Sequence, residues 1–166
     1  MSADGDGYRQ QLRLRVCGIL VIDGRILVAQ VHSPISDNLI WTPPGGGLKF
    51  GESLAEGVRR EFAQETNLQV AVRQLVHINE LIEAPFHAVE CYFEVDRQDG
   101  EATLGEDPEH DPDRQLLQDL QWVPLEQLPN IVFAHRACYP NCRAGNNAPI
   151  LILIKDHEHR GIYFLS

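Results

Sequence analysis

The sequence predicts an α+β or α/β/α layered fold of mixed strands. Short β-rich runs occupy most of the chain, while only one long stretch, Ser53 to Thr66, carries helical spacing with caps at both ends. The 166 residues, 43% hydrophobic and 23% charged, form one domain's worth of protein without internal repeats. Mixed strands with few helices indicate this layered class. Residues 1–8 are small, polar and glycine-rich and read as a frayed end, so the expected domain spans residues 9–166.

Taken in order, the runs LRLRVCGILVI and RILVAQV flank Asp23-Gly24, a pair suited to the positive dihedrals of a tight hairpin turn. Ile40 to Thr42 is a short strand ahead of Pro43-Pro44 and three glycines. Ser53 is the N-cap of the helix and Glu56 its capping-box partner. Leu54, Ala55, Val58 and Phe62 form its core face, and Asn67 suits the left-handed residue that ends it. Strands follow near Val70 to Ile78, Ala88 to Val95 and Leu120 to Val123, with a helical turn near Arg114 to Gln118 and a short helix at Pro124 to Leu128. Beyond Pro129, a helix is expected at Ile131 to Cys138, then strands in PILILIK and GIYFLS.

The formal charge is −10, and it is unevenly placed: Glu94 to Glu126 holds 11 acidic and 2 basic side chains. Such a surface repels nucleic-acid polymers, yet small phosphorylated ligands remain compatible when divalent cations line a carboxylate cleft. No apolar run reaches the roughly eighteen residues that span a bilayer, and the polar amino terminus lacks the apolar core of a secretory signal. The expected location is therefore cytoplasmic, with Cys17, Cys91, Cys138 and Cys142 as thiols. His135, Cys138 and Cys142 have the spacing of a partial zinc site, but no second cluster completes it. His157 and His159 flank Glu158 in an expected solvent-facing turn.

Gly45 to Leu68, GGGLKFGESLAEGVRREFAQETNL, carries the chemistry. Glu61 and Glu65 are four residues apart and Gln64 is three from Glu61, so all three project from one helix face. Taken alone, this is the acidic face of a solvated surface helix. Paired carboxylates also suit Mg²⁺ or Mn²⁺, which retain waters and bind substrate phosphates at the same time. The preceding glycine turn allows a close backbone approach and can present the Gly45 carbonyl to the same ion. Glu52, ahead of the helix, can fold back onto Arg60 as a structural clamp.

The spacing of Gly46, Glu52 and Arg60-Glu61-Phe62-Ala63-Gln64-Glu65-Thr66-Asn67-Leu68 resembles the Nudix box, a glycine, a glutamate and a REUxEExGU pattern in which U is bulky and aliphatic. Three positions depart from it: Phe62 replaces the aliphatic residue, Gln64 the first glutamate of the pair, and Asn67 the glycine.

The resemblance implies a Nudix-type α/β/α sandwich and hydrolysis of a nucleoside diphosphate linked to another moiety. It makes Glu61 and Glu65 metal ligands, the Gly45 carbonyl a third, and Glu52 with Arg60 the clamp. Gln64 offers a neutral oxygen or holds a metal-bound water. The general base varies in the family; Glu61 is the box candidate, and Glu106 and Glu109 are the loop candidates. Some ADP-ribose hydrolases carry a proline some fifteen residues after the box, and Pro85 lies seventeen after Leu68, which favours an ADP-ribose-like substrate. Tyr92 is too distant to match the tyrosine associated with dinucleoside polyphosphates, and oxidised nucleoside triphosphates stay open. Trp41, Phe86 and His87 are the candidates for stacking on or bonding to a base. The segment after Pro129 is a candidate for homodimer packing. The rival reading is a Nudix-fold domain that binds a nucleotide or protein without turnover.

Overall fold

The computed structural model describes residues 10–33, 38–106, 116–130, 150–152 and 163–165. Its strands are β1 (Leu12–Ile19), β2 (Val21–Ile22), β3 (Arg25–His32), β4 (Leu39–Thr42), β5 (Gly45–Gly47), β6 (Gln69–Glu83), β7 (Phe86–Asp99), β8 (Leu117–Pro124), β9 (Ile150–Ile152) and β10 (Tyr163–Leu165). One α-helix, α1 (Leu54–Thr66), lies among the described residues. The expected helical layer at Ile131 to Cys138 lies outside them, as do His135, Cys142, His157 and His159.

A mixed four-stranded sheet has the order β5-β1-β7-β6, with β1 parallel to β7 and its other pairs antiparallel. In the second sheet β3 pairs antiparallel with β2, β4 and β8. The expected long hairpin is corrected. Asp23 and Gly24 do form the turn, with φ of 51° and 69°, but its ladder is only Val21↔Ile26 and Ile22↔Arg25. At Leu20 the chain changes sheets, and β1 pairs with β5 and β7. Both faces of β1 near Val16 and Cys17 are buried, so two strands beside it bury more than one hairpin partner would.

Two apolar clusters hold the layers together. Val58 and Phe62 of α1 pack with Val16, Leu27, Phe93 and Val95. Cys17, Ile19, Ile26, Val28, Tyr92 and Val123 form the other, with Trp41 against it. Phe62 is fully buried, and its ring occupies the space where a side chain on Gly18 would stand, 2.3 Å from an added Cβ. The aromatic ring at this box position is thus accommodated by a missing side chain on β1.

Further differences from the sequence reading concern the acidic segment and its surroundings. Strands β6 and β7 run longer than expected, as one hairpin turning at Ala84-Pro85. Leu117 and Gln118 belong to β8 instead of a helical turn, because Leu117 is buried opposite Val31. The short helix is a 3-10 helix at Leu125–Asn130. Strands β9 and β10 fall within the expected runs PILILIK and GIYFLS, and they pair antiparallel.

Candidate functional site

Helix α1 starts with a complete capping box: the Ser53 side chain accepts from the Glu56 N–H, and the Glu56 carboxylate accepts from the Ser53 N–H at 2.8 Å. It ends at Asn67 with φ of 57°, whose N–H donates to the Ala63 carbonyl. Fixed at both ends and anchored by Phe62 and Val58, the helix directs Glu61 and Glu65 toward β5. Backbone bonds from Leu48 N–H to Leu14 O and from Gly18 N–H to Pro44 O set the alternation of the β1/β5 ladder. Gly45 therefore turns its own peptide groups away from β1, and its N–H donates to Glu65 Oε2 at 2.9 Å. The Glu61 carboxylate lies against Gly46, 2.6 Å from where a Cβ would stand. Any larger residue at position 46 would displace it.

Arg60 organises this face. Its Nε and Nη2 donate to the two carboxylate oxygens of Glu52 at 2.5 and 2.9 Å, a bidentate pair, and Nη2 also reaches the Gly47 carbonyl at 3.0 Å. Its Nη1 donates to Glu61 Oε1 at 2.6 Å and to Gln64 Oε1 at 3.1 Å. One guanidinium thus ties the loop before the helix to two side chains of the acidic face. The hydrogen bonds from Arg60, together with that from the Lys49 N–H, hold the Glu52 carboxyl down at about 2 against a residual cost of burial.

The acidic segment begins on the same helix. The Thr103, Gly105 and Glu106 N–H groups donate to the carbonyls of Thr66, Glu65 and Gln64. Those carbonyls lack intrahelical partners because the helix ends there. Asn67 Nδ2 adds bonds to Thr103 Oγ1 at 2.9 Å and to its carbonyl at 3.3 Å. A Cβ on Gly105 would stand 1.7 Å from the Gln64 carbonyl, so only glycine permits this docking. The strap carries Glu106, which is exposed, to the C-terminal end of the acidic face; Glu109 lies outside the described residues.

The expected base-contacting residues lie on β4 and at the start of β7. Trp41 is half-buried against the cluster around Cys17. Phe86 and His87 open β7, where His87 pairs in register with Leu12 and its Nε2 lies 3.0 Å from Glu80 Oε1. Leu12 is four residues along β1 from Val16, the partner of Gly46, or roughly 13 Å at strand rise. His87 is thus not brought together with the box glutamates. Pro85 follows a cis peptide in the β6–β7 turn, where its carbonyl accepts from the Gln10 N–H.

A model of the NUDIX domain matches residues 11–142. The chain belongs to the NUDIX family. It is 27% identical to an RNA pyrophosphohydrolase of Bartonella clarridgeiae, covering 75% of this chain and 84% of that protein. The MutT NUDIX hydrolase from Burkholderia pseudomallei superposes with a TM-score of 0.60 at 25% identity, covering 76% of this chain and 93% of that one. The MutT protein from Methanosarcina mazei Go1 does so with a TM-score of 0.62 at 18% identity, covering 76% and 88%. This NUDIX chain is accordingly an enzyme of the pyrophosphohydrolase type.

NUDIX hydrolases generally use divalent metals, and the donors here fit one. Among the described residues no three His, Cys, Asp or Glu side chains gather into a self-sufficient cage. The face instead offers two carboxylates with amide and backbone oxygens, a set suited to a cation that keeps waters and shares its shell with phosphate. Two features leave little trace in the sequence: the docked strap, and a second polar group on β1 and β7, Arg15 with Glu90. The only sequence signal for the latter was charge alternating with apolar residues inside a half-buried strand.

Proposed function

We propose that this NUDIX enzyme hydrolyses the pyrophosphate linkage of a small nucleoside diphosphate derivative in a Mg²⁺- or Mn²⁺-dependent reaction. The observation that carries this reading is the approach of Glu61 and Glu65 to Gly45 and Gly46, with Arg60 bracing the first and the Gly45 N–H the second. Glu65, Glu61 and the Gly45 carbonyl would hold the cation, and Gln64 would contribute its amide oxygen or orient a water. The cation, when bound, supplies neutralisation of the charge that develops on the phosphoryl oxygens.

In the reaction, a water oxygen forms a bond to phosphorus while the bridging P–O bond breaks and its electrons leave with the second phosphorylated product. The water proton passes to a carboxylate. Glu61, with a guanidinium at 2.6 Å, is suited to remain an anionic ligand. Glu106, exposed at the end of the strap, is suited to take the proton and return it to solvent.

A net charge of −10 supports a small substrate over an RNA chain, although the Bartonella relative bears the name of an RNA pyrophosphohydrolase. Pro85, the residue that favours ADP-ribose, sits in the β6–β7 turn with its carbonyl bonded to the Gln10 N–H, so oxidised nucleoside triphosphates stand beside that substrate. The test offers purified protein with Mg²⁺ or Mn²⁺ a panel of ADP-ribose, NADH, dinucleoside polyphosphates, nucleotide sugars, oxidised dGTP and a 5′-triphosphorylated oligonucleotide. Release of a nucleoside monophosphate from a small member is expected. Turnover of the oligonucleotide alone would overturn the small-substrate reading, and turnover of none would support the binding-domain rival.

A further inference from the structure

The box pattern has a glycine just after the last turn of its helix, and this chain has Asn67 there. For the backbone alone the exchange brings no advantage: Asn67 holds φ of 57°, a conformation that glycine adopts at less cost. What asparagine adds is a side-chain amide. Its Nδ2 donates to Thr103 Oγ1 at 2.9 Å and to the Thr103 carbonyl at 3.3 Å, 36 positions away in the chain.

The segment that follows β7 crosses over this residue and then runs back along the helix. Gly100, with φ of 92°, lies so close that a Cβ there would stand 2.6 Å from the Asn67 carbonyl. Ala102 packs against the core cluster. The N–H groups of Thr103, Gly105 and Glu106 then meet the carbonyls of Thr66, Glu65 and Gln64 at 3.1, 2.9 and 3.2 Å. Chain order on the strap is thus opposite to chain order on the helix, and each step carries it from the helix end toward the acidic face. Where Glu106 arrives depends on where Thr103 starts. A strap displaced by one residue would set Leu104 or Glu106 where Gly105 now stands, and a Cβ there meets the Gln64 carbonyl at 1.7 Å. One register is therefore tolerated, and the Asn67 amide fixes its first residue.

We propose that Asn67 and Thr103 are positioning residues for the reaction: the tie between them sets the register of the strap and thereby the place from which Glu106 reaches the acidic face. A slip of one residue moves a side chain by roughly 3.3 Å along extended backbone, enough to take a carboxylate out of hydrogen-bond reach of an attacking water. The inference rests on the proposed function for the role of Glu106 as proton acceptor, and the two fail separately.

In Asn67→Gly the cap keeps its conformation and only the amide is lost, so Tm is expected within about two degrees of the unmodified protein. Hydrogen exchange at the Thr103, Gly105 and Glu106 amides should quicken about fivefold, the factor of one net hydrogen bond. On the substrate that the panel identifies, kcat should fall about threefold or more with KM unchanged. Thr103→Val should move exchange and kcat in the same directions, and Thr103→Ser, which keeps the hydroxyl, should restore both. In a Glu106→Gln background, Asn67→Gly should change kcat no further, because the carboxylate it places is gone. A further loss by the same factor in that background, or unchanged exchange or unchanged kcat in Asn67→Gly, would overturn the inference. Absence of turnover in the unmodified protein would remove the hydrolase reading, whereas an unmoved kcat in an active enzyme would remove this inference alone.

Discussion

A neutral amide at position 64 removes a charge that the box pattern places on the acidic face, and it is tied to that face through Arg60. Gln64 Oε1 accepts from the same Arg60 nitrogen that bonds Glu61, so its carbonyl already performs one task of a carboxylate there. Gln64→Glu is expected to preserve or raise kcat/KM, since it adds charge where a cation would sit. Glu65→Gln keeps the shape and removes a charge, and is expected to lower kcat/KM by roughly a hundredfold or more, given the several kcal/mol that a bound cation supplies. Steady-state kinetics with Mg²⁺ checks both, and full activity in Glu65→Gln would refute the ligand assignment. The clamp has its own signature in pH. Glu52 has its carboxyl lowered to about 2 from an ordinary 4.5, so its contribution to stability is present above pH 4.5 and is lost as pH falls toward 2. The difference in Tm between the protein and Glu52→Gln should therefore be constant near neutrality and shrink below pH 4.5.

At the scale of elements, two departures from the box pattern acquire reasons that lie outside the box. Phe62 is matched by Gly18 on β1, which leaves room for the ring. Asn67 takes the left-handed conformation that glycine would, and also ties Thr103 through its side chain, which glycine could not. Helix and strap are thus one unit: the last carbonyls of α1 are capped by the first residues of the acidic segment. Gly105→Ala would force a Cβ into the Gln64 carbonyl and detach the strap, leaving those carbonyls to solvent. We expect kcat to fall about tenfold or more through loss of Glu106 positioning, with a drop in Tm of only a few degrees because the core face of α1 is untouched. Unchanged kcat in a folded Gly105→Ala protein would exclude the strap from the reaction.

For the whole molecule, the charge of −10 resolves into parts with different duties. Some carboxylates are engaged by cationic side chains, as Glu52 and Glu61 are by Arg60 and Asp96 is by Arg73. Glu65 and Glu61 share a face that a cation would relieve. Because such a cation binds only the folded chain, saturating Mg²⁺ should raise Tm by several degrees, the size expected at about a hundredfold over Kd. The same shift should be absent in Glu65→Gln; thermal unfolding with and without EDTA measures it.

Local patterns in the chain specify the helix, its two caps, the turn at Asp23-Gly24, the strand-rich class and the spacing that resembles the Nudix box. These are local: each depends on side chains within about one or two turns of backbone, whose bonds form wherever the chain goes. Long-range packing sets the rest: β1 leaves its expected hairpin partner, His87 lies away from the glutamates, Gly18 makes room for Phe62, and the acidic segment begins by capping α1. It also decided that Arg15 and Glu90, 75 positions apart in the chain, meet across the parallel β1/β7 ladder. Pairings of that kind depend on which strands come to lie side by side, and side-chain alternation within one strand carries no record of its neighbour.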